Sequence, residues 1–211
     1  CAVVLAGYLL GSLPTGLIVG KLYRGIDVRD YGSGRTGATN VLRTLGPGAS
    51  ALALLGDAAK GALAVFLARA VLERFGLSWW PDIAAVLASL AALAGHNWPA
   101  FIGFRGGRGV AVAAGSMAVL IPPVFVVAAI VGVSVIALSR FVSLGSVVAT
   151  VIAVLLIISF VAAGRYPAPD VLFSLVAGGV ILLQHRDNID RLRMGTERKL
   201  GQPDAMGKTD L

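Results

Sequence analysis

Three polar stretches hold the residues whose types and spacing suit chemistry on an anion. The first runs Tyr31-Gly32-Ser33-Gly34-Arg35-Thr36-Gly37-Ala38-Thr39-Asn40-Val41-Leu42-Arg43. Its small residues let the backbone approach a ligand closely, Ser33, Thr36, Thr39 and Asn40 offer neutral hydrogen-bonding groups, and Arg35 and Arg43 offer fixed positive charge. Gly32, Gly34 and Gly37 also spell G-x-G-x-x-G, with Asp57 twenty residues beyond. The dinucleotide reading is rejected, because the motif follows an apolar run rather than a strand and Asp57 lies within an apolar helix. A plain interfacial turn would account for this stretch equally well.

The second stretch, Gly95-His96-Asn97-Trp98-Pro99, leads to Phe101-Ile102-Gly103-Phe104-Arg105-Gly106-Gly107-Arg108-Gly109-Val110. Arg105 and Arg108 flank a glycine pair where a helix begins, and free amides plus the positive end of a helix dipole favour phosphate there. A positive anchor at a membrane surface explains the arginines but not the glycines. The spacing is not that of a P-loop, since no Lys-Ser or Lys-Thr follows. The third stretch is His185-Arg186-Asp187-Asn188-Ile189-Asp190-Arg191-Leu192-Arg193-Met194-Gly195-Thr196-Glu197. His185-Arg186-Asp187 imitates a kinase catalytic loop, but Leu192 stands where that loop has asparagine. His185 and Asp190 have the H-x4-D spacing in which a carboxylate orients an imidazole base, and a hydrogen-bonded interfacial histidine is the other reading. With two histidines and one cysteine, Cys1, no metal site, cofactor or redox pair is expected. There is no G-x-S-x-G elbow for an acyl-enzyme.

The elements that position these stretches are membrane spans. The chain has 211 residues, 57% of them hydrophobic and 14% charged, well away from the balance of a water-soluble domain and equally far from disorder. Apolar runs at 2–20, 49–71, 83–101, 110–121, 124–138, 144–163 and 171–184 predict an all-α, polytopic bundle of about seven transmembrane helices. Three of these, 110–121, 124–138 and 171–184, are shorter than a standard span. Pro122-Pro123 divides what would otherwise be one overlong run, and Pro14 predicts a kink in the first span. Asp57 and Lys60, three apart in the second span, share a helix face and form a structural pair that lowers the cost of each in lipid.

The net charge of +7 follows topology rather than nucleic-acid binding. With the N-terminus outside and the C-terminus cytoplasmic, 14 of the 18 Lys and Arg fall on the inner side, together with all three polar stretches. Residues 1–200 form one membrane domain, and 201–211 are expected to be a flexible tail.

Taken in order, GSGRTGATNVLR, GHNWPAFIGFRGGRGVA and HRDNIDRLRMGTE resemble the three motifs of the bacterial membrane glycerol-3-phosphate acyltransferases that use acyl phosphate as donor. The resemblance extends over nearly the whole chain. It implies acyl transfer to the 1-hydroxyl of glycerol 3-phosphate, giving lysophosphatidic acid and inorganic phosphate, at the cytoplasmic face of a bacterial plasma membrane. It also implies essential roles for Ser33 and Arg43, functional roles for His185 and Asn188, and a phosphate-cradling loop at Gly106, Gly107 and Gly109. Thr39, Asn40, Arg105 and Arg108 are further candidates for substrate binding, while Glu197 has a structural role. The partners expected are the two phosphate substrates and the bilayer. This chain has Arg35 where the family usually has Asn, and Arg105 and Arg108 where lysines are common. A transporter of phosphate or of a phosphorylated lipid precursor would also want basic glycine loops, although no internal repeat supports one.

Overall fold

The computed structural model describes residues 1–76 and 81–202, and every regular element among them is helical. Residues 203–211 of the expected tail lie outside the described residues. Helices α1 (Ala2–Gly11) and α2 (Thr15–Arg24) form one broken apolar segment, and α3 (Ala38–Leu45) is short and amphipathic. There follow α4 (Pro47–Arg74), α5 (Pro81–Asn97), α6 (Val110–Leu120), α7 (Pro122–Ser139), α8 (Val142–Ala162), α9 (Pro169–Gln184) and α10 (Arg186–Arg193).

Two proline signals act as the sequence predicts. Pro14 cannot donate within a helix, so α1 ends at Gly11 and Pro14 caps α2 at φ −87° and ψ 73°. Pro122 opens α7 at the first helical turn, and the turn before it runs through Ile121, which is non-helical at φ −141° and ψ 71° and fully buried. Irregular backbone within a bundle is tolerated where protein, not lipid, surrounds it.

All seven apolar runs lie on helices, but not all have spanning length. Ala2–Arg24, Pro47–Arg74, Asp82–Ile102, Pro122–Ser139 and Val142–Ala162 are long and apolar enough to cross a membrane, whereas Val110–Leu120 and Pro169–Gln184 are shorter. Their outer faces carry large bare apolar side chains, such as Val126 and Ile130 on α7, as a lipid-facing surface requires.

Where lipid supplies no hydrophobic drive between helices, close approach must supply the packing. Gly7 and Gly11 seat α1 on α5, where an added Cβ at Gly11 would stand 2.1 Å from the Ala92 carbonyl oxygen. Gly115 likewise brings α6 onto α4, with an added Cβ only 1.9 Å from the carbonyl oxygen of Ala58. The apolar core, including Val65, Leu93, Met117, Ile121, Ile157 and Phe173, lies among α4 to α9. The bundle thereby gathers the end of α5, the starts of α6 and α8 and the end of α9 around the three polar stretches.

Candidate active site at the basic end of the bundle

The first stretch is only partly a loop: from Ala38 it is helix α3. Its loop is shaped by Asn40, which is buried and whose Nδ2 donates to the carbonyls of Val28 at 2.7 Å, Arg35 at 2.8 Å and Tyr31 at 3.2 Å. Asn40 Oδ1 accepts from the Ser33 amide at 2.9 Å. Asn40, expected to bind substrate, borders the cavity described below, but its amide is engaged by the backbone and places Ser33 and Arg35. Arg29 ties this loop to the second stretch. It is held by Asp27 at 2.7 Å and donates to the Ile102 carbonyl at 2.8 Å.

The second stretch lies on the end of α5. Gly106 and Gly107 donate their amides to the carbonyls of Asn97 at 3.3 Å and His96 at 3.1 Å. In the glycine loop expected to cradle a phosphate, these two amides are engaged by the end of α5. Gly109, at φ +84°, is the N-cap of α6, where an L side chain would be strained and would also strike Leu93. Arg105 is exposed and stands outside the cavity described below, as does Gly106, whereas Gly107, Arg108 and Gly109 line it.

Arg108 and Arg35 converge on the last residue of α9. Arg108 Nε donates to the Gln184 carbonyl at 3.1 Å, and Arg35 Nη1 donates to Gln184 Oε1 at 2.9 Å and to the Gly107 carbonyl at 3.3 Å. Burial first, and then the charges of Arg35 and Arg191, push Arg108 down to about 10, so it stays a cation at neutral pH. Burial lowers Arg35 too. Two half-buried guanidinium groups side by side make an electropositive spot that attracts an anion.

The third stretch continues from α9 into α10. His185 is buried, and its Nδ1 donates to the Ile181 carbonyl at 2.8 Å. Burial, together with the charges of Arg108 and Arg35, pushes its pKa down to about 4 against that opposing hydrogen bond. The imidazole is thus neutral, with Nε2 as an acceptor. Asp190 does not partner it: the carboxylate is exposed and lines a separate outer groove with Arg186 and Arg193. The H-x4-D dyad is accordingly absent. Glu197 accepts from Ser143 Oγ at 2.6 Å, Asn188 Nδ2 at 2.6 Å and Arg191 Nε at 2.7 Å, joining α8, α10 and the segment after it. Burial alone would raise its pKa, but these three hydrogen bonds hold it below the usual carboxylate range. Asn188 Oδ1 is left buried with no hydrogen-bond partner among the described residues.

These groups open onto one cavity of about 500 Å³. Ser33, Arg35, Thr39, Arg43, Arg108, His185 and Asn188 line its polar end. Beyond them it runs along Met117 of α6, Phe125 and Ile136 of α7, Ile157 of α8 and Phe173 of α9, an apolar trough. Asp57 and Lys60 form the pair that their spacing predicts, Nζ to Oδ1 at 2.9 Å, and Asp57 reaches the cavity wall. Sequence reasoning did not single out His96, Gln184, Ser143 or Arg191. Only His96 had a signal, as one of two histidines and next to the glycine loop.

Helices of membrane-spanning length around a cationic, half-apolar cavity define a polytopic membrane protein. A family model described as glycerol-3-phosphate acyltransferase matches residues 1–195, and the chain belongs to that family. A glycerol-3-phosphate acyltransferase of Rubrobacter xylanophilus is 46% identical over 202 residues, 94% of each chain. One from Parasynechococcus marenigrum is 48% identical over 196 residues, covering 93% of this chain and 87% of that one. Among solved structures, PlsY (YgiH), an integral membrane glycerol 3-phosphate acyltransferase in its glycerol 3-phosphate form, is similar with a TM-score of 0.83 and 37% identity. That likeness covers 95% of this chain and 94% of that one.

Proposed function

We propose that the protein transfers a fatty acyl group from acyl phosphate to the 1-hydroxyl of glycerol 3-phosphate, releasing lysophosphatidic acid and inorganic phosphate. The observation that carries this reading is the cavity itself, cationic at one end and apolar along the rest. Glycerol 3-phosphate has no use for an apolar trough, and an acyl donor needs one. An acyl phosphate arrives already activated, so no acyl-enzyme is required. The work left to the protein is to hold two mutually repelling anions together and to stabilise charge as the hydroxyl attacks the carbonyl.

In this mechanism Arg35 and Arg108 share the phosphate of glycerol 3-phosphate, and Ser33 and Arg43 orient the donor's phosphate or carbonyl, with Thr39 beside them. The unpaired Asn188 Oδ1 accepts from a glycerol hydroxyl, as does His185 Nε2. With its pKa near 4, His185 is a poor proton sink at neutral pH, and a substrate phosphate takes the hydroxyl proton.

Seven crossings suit the helix order, with α1–α2 as the first, then α4 to α9. At 1.5 Å per residue, the 16 residues of α9 rise about 24 Å. They run from the neighbourhood of Asp82 and Arg69 to the basic site. The 14 of 18 basic residues on the site's side favour a cytoplasmic site, an external N-terminus and a bacterial plasma membrane. The test is purified protein with glycerol 3-phosphate and either palmitoyl phosphate or palmitoyl-CoA, scored for lysophosphatidic acid. Product with the acyl phosphate is expected. Product only with the CoA ester reassigns the donor, and none with either overturns the reading.

A further inference from the structure

Behind the cavity, one ammonium group ties three helical segments together. Lys60 on α4 is buried, and its Nζ lies 2.9 Å from Asp57 Oδ1, 2.9 Å from the Leu13 carbonyl at the α1–α2 break, and 2.9 Å from His96 Nδ1 on α5. An ammonium has three hydrogens, and here three polar atoms stand within hydrogen-bond distance of it. Thr15, at the start of α2, adds a hydrogen bond to Asp57. His96 Nδ1 also lies 3.3 Å from Asp57 Oδ1, so both members of the pair hold the ring and fix the position of its other nitrogen, Nε2. That nitrogen lies against Gly107, where an added Cβ would stand only 2.1 Å from it. Gly107 in turn accepts Arg35 through its carbonyl and precedes Arg108. The membrane-embedded ion pair is thus one side chain removed from the two guanidinium groups at the cavity mouth.

We propose that Asp57, Lys60 and His96 are positioning residues for the acyl transfer: an intramembrane brace that fixes Gly107 and, through it, the phosphate-binding placement of Arg35 and Arg108. Asp57 and Lys60 touch no reacting atom in this role; they orient His96, and His96 sets the loop. A salt bridge costs much to bury, and removing one partner alone leaves an uncompensated charge, so the informative change removes both. The proposal rests on the assignment of Arg35 and Arg108 to a substrate phosphate, which a binding measurement with inorganic phosphate examines without any acyl donor.

The experiment compares wild type with the Asp57→Asn/Lys60→Met double variant in detergent. Stabilisation of thermal unfolding by inorganic phosphate gives an apparent affinity, and turnover gives KM and kcat for glycerol 3-phosphate. A brace predicts that phosphate affinity falls and KM rises together by about tenfold, with a smaller change in kcat. A folded double variant with both values within about twofold of wild type overturns it. Should that variant not fold, Gly107→Ala is made in the wild-type and His96→Ala backgrounds. Because the new methyl group meets the His96 ring, it weakens phosphate binding about tenfold in the first background and adds little in the second. Equal losses in both backgrounds overturn the brace. Wild type that binds phosphate but makes no product from palmitoyl phosphate refutes the choice of donor and leaves the brace standing.

Discussion

Residues 31–37 owe their shape to one side chain, whereas residues 105–109 owe theirs to the lack of three. In the first loop the Asn40 amide reaches four backbone groups and stands in for secondary structure. In the second, Gly106, Gly107 and Gly109 let backbone lie directly on His96, Asn97 and Leu93. The two loops present arginines to the same cavity, Arg35 from one and Arg108 from the other, and both meet at Gln184. A loop shaped by a side chain fails when a donor is removed, and one shaped by close approach fails when atoms are added.

That contrast is broken most severely at Gly106. Gly106→Ala puts a methyl group 1.9 Å from the His96 carbonyl oxygen, backbone that cannot step aside. It is expected to cost about 1–3 kcal/mol in thermal unfolding and to lower turnover about 100-fold. Wild-type behaviour would show that close approach does not hold this loop. Next comes Asn40→Ala, which removes the side chain's bonds to the Ser33 amide and to the carbonyls of Val28, Tyr31 and Arg35, of which Val28 and Tyr31 keep a backbone donor. Losing the buried bond to Val28 and the part-buried ones costs about 1–3 kcal/mol, and a raised KM for glycerol 3-phosphate is expected with it. Asn40→Asp cannot rescue, since it supplies no donors.

A smaller effect separates the loops from the third stretch. Glu197 is held below the ordinary carboxylate pKa, so it binds fewer protons folded than unfolded. The stability it adds is complete above its unfolded pKa and is lost as pH falls through the folded value. Glu197→Gln therefore lowers the melting temperature at neutral pH and flattens the acid side of the stability profile; an unchanged acid side would refute the linkage. The smallest effect belongs to Asp190→Asn, which is expected to leave turnover within about twofold of wild type because the carboxylate makes no contact with His185. In the same assay the pH profile of kcat/KM shows no break near 6.5 from His185, whose pKa lies near 4. A large loss in Asp190→Asn, or such a break, would restore the acid–base dyad.

Much of this was legible before any fold was known, for physical reasons that differ by residue. Apolar runs reveal helices because lipid demands them, and Pro122-Pro123 reveals a break because proline cannot donate. Asp57 and Lys60 reveal their pairing because three residues is one helical turn. What escaped was whatever depends on where backbone groups turn. Helix α3 hides behind a glycine-rich approach, and α10 is polar and short, so neither has the signature of a span. The amides of Gly106 and Gly107 read as free donors in sequence and are spent on α5 in the fold. Gln184 gives no sign at all, since its place depends on α9 ending beside two loops more than seventy residues away.

A cavity that is cationic at its mouth and apolar along its length draws its two reactants from different phases. Glycerol 3-phosphate comes by three-dimensional diffusion from water, while a fatty donor comes by lateral diffusion within the bilayer. The rate then follows the mole fraction of donor in the membrane or micelle rather than its bulk concentration. Adding inert detergent or lipid at constant total donor slows turnover, although nothing about the protein has changed.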